Sequence, residues 1–132
     1  MPFVKAARTV VQKLPTTDPL RIVLEYLLKH GIGSHNAKPW GELQEELDDH
    51  GIKMTQTKFQ QTVLKDTRAG EIFIGSNDHG RSRGYFLIQE RVDAVTMWEF
   101  YQKRIAAEQA NLANLEKLIE IEWPGTRMNL LE

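Results

Sequence analysis

Apolar residues recur at helical spacing from the start of the chain: Phe3, Ala7, Val10, Val11 and Leu14 share one face, with Lys5, Arg8 and Lys13 mostly on the other. The spacing predicts a short amphipathic helix over residues 2–14. Pro15 ends it, because a proline restricts the backbone of the residue before it. Asp18-Pro19 opens a second helix: the Asp side chain accepts from free N–H groups of the first turn, and Pro at the first helical position forfeits no hydrogen bond. This helix is expected over 19–30, with Leu20, Val23, Leu24, Leu27 and Leu28 as its apolar stripe and Gly31 as a left-handed stop.

Gly, Ser, His and Asn cluster over residues 32–38, which reads as a loop. A helix then follows from Pro39 or Trp40 to His50, with Trp40, Leu43 and Leu47 inward and Gly51 at its end. The next helix begins near Thr55 or Thr57, the latter offering a capping box through Gln60, with Phe59 and Val63 inward, Leu64 as a further candidate, and Gly70 closing it. Two β-branched and aromatic runs, residues 71–75 and 85–88, flank a polar stretch with Asn77-Asp78-His79-Gly80 turn chemistry and predict a hairpin with a long basic tip.

From about residue 90 to 121 no Gly or Pro interrupts the chain, and Trp98, Tyr101, Ile105, Leu112, Leu115 and Ile119 fall near a seven-residue rhythm. Thirty residues of helix span roughly 45 Å. Such a rod exceeds what one small domain covers, so pairing with a second copy, helped by the first helix, is the expectation, as an imperfect coiled coil with Glu108 on the seam. Pro124-Gly125 terminates it.

Three helices followed by a basic hairpin, within residues 19–89, resemble the winged helix-turn-helix. The expected fold is therefore mainly α with a small β-hairpin: an N-terminal helix over 1–15, a winged helix-turn-helix domain over 16–89, a dimerisation helix over 90–123 and a tail over 124–132. The resemblance implies a third helix in the major groove of double-stranded DNA and a hairpin tip on phosphates or in the minor groove. Carried onto this sequence, the exposed third-helix positions are Gln56, Thr57, Lys58, Gln60, Gln61, Thr62 and Lys65, with Arg68 beyond them. Gln pairs with adenine edges, Thr meets a thymine methyl, and Lys neutralises phosphate or contacts guanine. On the hairpin, Arg81 and Arg83 suit a narrow minor groove, with His79 and Ser82 adding phosphate contacts. A winged helix followed by a long helix is also similar in architecture to PadR-like regulators and to small regulators of phages and mobile elements. The implied function is a dimeric, non-enzymatic transcriptional regulator.

Charge changes this picture in one respect. The net charge is −1, but residues 41–52 hold Glu42, Glu45, Glu46, Asp48 and Asp49 without a base, whereas Lys53, Lys58, Lys65, Arg68, Arg81 and Arg83 outnumber the acids of residues 53–85. If the acidic helix faced phosphates it would be repelled, and the domain would then read as a protein-binding adaptor. A restriction or mobile-element component is the remaining alternative. The absence of cysteine removes thiolate metal sites and thiol nucleophiles and suggests a cytoplasmic setting. His30, His35, His50 and His79 lack metal-ligand spacing, the acids of residues 45–49 diverge on one helix, and no phosphate-binding loop motif occurs. No metal, cofactor or catalytic group is therefore expected. The N-terminus lacks the apolar run of a secretory signal, and no segment is long enough to span a bilayer.

Overall fold

The computed structural model describes residues 2–68, 72–77 and 83–126. It is mainly helical, with a two-stranded antiparallel hairpin and a long C-terminal helix. The chain divides into two compact units, Met1–Val95 and Thr96–Glu132. No helix among the described residues is long and apolar enough to cross a membrane.

In the first unit, α1 (Pro2–Lys13) packs against α2 (Pro19–His30). Val4, Ala7 and Val11 are buried, and Phe3 is turned out instead of Val4, one position from the predicted face. Two of these, Ala7 and Val11, join the core formed with Val23, Leu24 and Leu27 of α2, so this helix spends its apolar face within its own unit. Asp18 caps α2 as expected, accepting from the Leu20 amide at 2.9 Å, with Pro19 in the first turn. The predicted left-handed stop is not there: Gly31 has φ −125°. Its need for hydrogen in place of a side chain is steric, since a Cβ would stand 2.6 Å from the Leu27 side chain.

The segment after α2 is more ordered than a loop. A single 3₁₀ turn, Ser34–Asn36, is flanked by two bridges to the hairpin. Ile32 pairs in parallel with Leu87, and Lys38 pairs antiparallel with Tyr85 through reciprocal bonds of 2.7 and 2.8 Å. The hairpin itself pairs β1 (Ile74–Asn77) with β2 (Gly84–Leu87), opposing Ile74 to Leu87 and Asn77 to Gly84. Gly84 has φ +136°, and a Cβ there would lie 2.0 Å from the Lys38 carbonyl oxygen. Only glycine lets β2 approach the chain this closely.

α3 (Trp40–Asp49) buries Leu43 and Leu47 and ends at Gly51, φ +77°. The Tyr26 hydroxyl of α2 donates to Glu42 of α3 at 2.7 Å, and this bond, with burial and the neighbouring acids, raises the phenol to about 12.

The helical stretch after α3 has three parts: α4 (Gln56–Phe59), a π-helical segment (Gln60–Leu64) and α5 (Lys65–Arg68). Its cap is Thr55, whose hydroxyl accepts from the Lys58 amide at 3.2 Å, so the capping box at Thr57 is not formed. The π segment changes which residues point inward. Five residues apart, Phe59 and Leu64 would stand about 140° apart around an α-helix. The i→i+5 pattern brings them to one side. Both are buried, while Val63 is only half-buried. The expected closure at Gly70 lies outside the described residues.

The long helix, α6 (Arg91–Glu122), matches the predicted rod to within a residue at each end. At its start, buried Asp93 accepts from the backbone amides of Ser34, Gln89 and Glu90 at 3.1–3.2 Å. Burial alone would raise its pKa, but hydrogen bonds from Ser34, Glu90 and Gln89 outweigh burial and hold the carboxyl below its ordinary value. In the second unit the apolar rhythm lies open: Trp98, Ile105, Leu112 and Leu115 are each about half exposed or more, and Tyr101 and Ile119 are half-buried. Leu118, Ile121 and Trp123 are also exposed, beside the predicted seam instead of on it.

Candidate nucleic-acid interface

The stretch from Thr55 to Lys65 presents a continuous polar face because its inner side is fixed. Phe59, fully buried, stacks with Trp40 of α3 at 5.0 Å and meets Tyr85 of β2 edge-on at 5.1 Å. Leu64 adds a second anchor, and the buried Thr67 hydroxyl donates to the Leu64 carbonyl at 2.8 Å. With these residues inside, Gln56, Thr57, Lys58, Gln60, Gln61, Thr62 and Lys65 are all exposed. No acidic residue occurs between Met54 and Lys65, so this face carries the charge of its two lysines.

Two of these side chains are not independent of the hairpin. The amides of Gln56 and Gln60 each donate to the Tyr85 hydroxyl at 3.2 Å. Tyr85 is itself buried, its ring against Phe59 and its backbone paired with Lys38. One phenol thus ties the polar row of the helix to the strand that leads out of the hairpin tip. Thr62 is engaged locally, its hydroxyl donating to the Lys58 carbonyl at 2.7 Å. Gln61 is exposed on the π segment, and the exposed Lys58 and Lys65 precede and follow it in sequence.

Tyr85 is not among the residues that the sequence singles out. Its aromatic, strand-like context marks a core residue, and nothing local signals that its hydroxyl reaches residues 25 and 29 positions earlier. Of the hairpin residues, Arg83 is exposed next to β2. His79, Arg81 and Ser82 lie outside the described residues, and for Arg68 the backbone alone is described, at the end of α5.

The acids of α3 have their own partners in part. Glu42 holds Tyr26, Asp48 is 3.4 Å from the Lys53 ammonium, and Glu46 is 4.0 Å from the His50 ring. Glu45 and Asp49 are exposed.

The site is therefore an acid-free polar row on a buried-anchored helix, bonded to a hairpin strand. No protein-family model matches this chain, and no curated protein or solved structure matches it either.

Proposed function

We propose that this protein binds double-stranded DNA in a sequence-specific manner through a winged helix-turn-helix, acting as a dimeric transcriptional regulator. In this reading α3 and the Gln56–Arg68 stretch form the helix-turn-helix, and the hairpin is the wing. The Ile32 and Lys38 bridges to β2 support it, because they fasten the hairpin beside the helices. The observation that carries the reading is the row of exposed Gln, Thr and Lys side chains on one helix, with two glutamines aligned by Tyr85. Paired donor and acceptor groups read base edges, and lysines at the flanks neutralise phosphates and fix register. A π segment within a helix often marks a working surface, and here it sits under Gln60 and Gln61.

The exposed apolar residues along α6 support the dimeric part of this reading, in which two copies double the phosphate contacts. The exposed acids Glu45 and Asp49 favour one competing reading, in which the domain binds a protein with a basic surface.

A mobility-shift titration on random duplex at low salt, followed by selection from a random pool, tests the proposal. A shift that sharpens onto a two-fold sequence is expected. Failure of the protein to shift any duplex at about 50 mM salt and micromolar concentration would replace DNA with a protein partner.

A further inference from the structure

Each seam position of α6 would meet its own copy in a parallel pair and a different residue in an antiparallel one. That difference matters at Glu108, which occupies the seam between Ile105 and Leu112. Parallel pairing sets Glu108 against Glu108 of the partner, two like charges in a contact that excludes water. Antiparallel pairing about Ala110 sets it against the partner's Leu112 and separates the two carboxylates along the seam. The same register sets Ile105 opposite the partner's Leu115. All four of these positions are exposed on the single chain.

The charge along α6 agrees. From Thr96 to Ala107 there are two bases, Lys103 and Arg104, and one acid, Glu99. From Glu108 to Glu122 there are four acids and one base, Lys117. Parallel helices lay acidic half on acidic half, whereas antiparallel helices lay the basic half along the acidic one.

We propose that α6 pairs with α6 of a second copy in antiparallel orientation, with the two-fold axis at Ala110 and Ile105 against the partner's Leu115. This rests on the reading of α6 as the dimerising element and not on the DNA reading. The two chains enter the seam at Trp98 from opposite ends, about 36 Å apart.

The absence of cysteine gives a clean test. Full-length Ile105→Cys and Leu115→Cys variants are refolded singly and as a mixture, then oxidised mildly without DNA. A disulfide needs Cβ atoms about 4 Å apart, so cross-linking reports facing positions. The mixture is expected to yield a covalent dimer joining one variant to the other, and each variant alone to remain uncross-linked. Cross-linking of each variant with itself would establish the parallel pair and overturn the proposal. So would the absence of a cross-link in every sample, whether the wild type sediments as a 15.2 kDa monomer or as a dimer joined elsewhere. Circular dichroism of the variants guards against misfolding, which substitution at these exposed positions is not expected to cause. Because the readout contains no DNA, a dimer that cross-links as expected but shifts no duplex would sink the DNA reading alone.

Discussion

The side-chain amide of Gln60 donates to the Tyr85 hydroxyl at 3.2 Å, and Gln56 shares the same acceptor. A residue of the hairpin thereby sets the direction of two side chains on the helix. Replacing Tyr85 by Phe keeps the ring against Phe59 and removes only the acceptor. Both amides can rehydrate, so stability should fall by less than about 1 kcal/mol. Affinity for a selected duplex should fall by roughly 3- to 10-fold, with discrimination among sequences relaxed, as read by competition binding. Unchanged discrimination would mean that these glutamines do not read bases.

Lys58 and Lys65 should act without regard to sequence. Each Lys→Ala change is expected to weaken binding to specific and random duplex alike. Each should also lower the slope of log K against log salt by roughly 0.9 for every phosphate that is no longer neutralised. A salt titration of the single and double variants checks this. A slope that does not change in the double variant would remove the lysines from the phosphate path.

Phe59 is the anchor beneath the row. Phe59→Ala leaves a cavity between Trp40 and Tyr85 and should cost about 3–5 kcal/mol in chemical denaturation. A loss below about 1 kcal/mol would show that this stretch is not held by its inner face.

Gly84→Ala should be damaging for a different reason. The added methyl collides with the Lys38 carbonyl, and φ is positive. The bridge between Lys38 and Tyr85 must open, with an expected cost above about 1 kcal/mol. Hydrogen exchange at the Lys38 and Tyr85 amides should rise with it.

Acid should act through Asp93, whose carboxyl is held below its ordinary value. A depressed folded-state pKa contributes stability that is present above the unfolded value, about 3.9, and is lost as pH falls through the folded value. Asp93→Asn is therefore expected to lower stability at pH 7 and to flatten the stability profile below about pH 4. Parallel profiles for the variant and wild type over that range would remove Asp93 from the acid response.

Much of the architecture was legible from the chain because it rests on short-range chemistry. Asp18-Pro19 caps α2 through an atom two residues away, and an uninterrupted run free of Gly and Pro predicts α6. The exposed polar row was legible too, since it is the complement of Phe59. What escaped depends on contacts distant in sequence. Gly31 looks like a left-handed stop but serves close packing on Leu27, and the segment after it reads as a loop because its partner strand lies some fifty residues on. The inward turn of Leu64 in place of Val63 follows from the π segment, which has no local signature. The tie from Tyr85 to the glutamines is likewise invisible without the fold.

The π segment has one further consequence, for chain length. A turn closed at i→i+5 holds one residue beyond what an ordinary turn needs, so the helix contains a spare. Deleting a residue from a regular helix swings everything after it by about 100°. Deleting Gln61 should instead rewind the turn to α, leaving the shortened segment in phase with its surroundings and its two inner anchors in place. A helix in this protein is thus expected to tolerate a one-residue deletion better than a one-residue insertion, and length variation among any kindred sequences should gather at that turn.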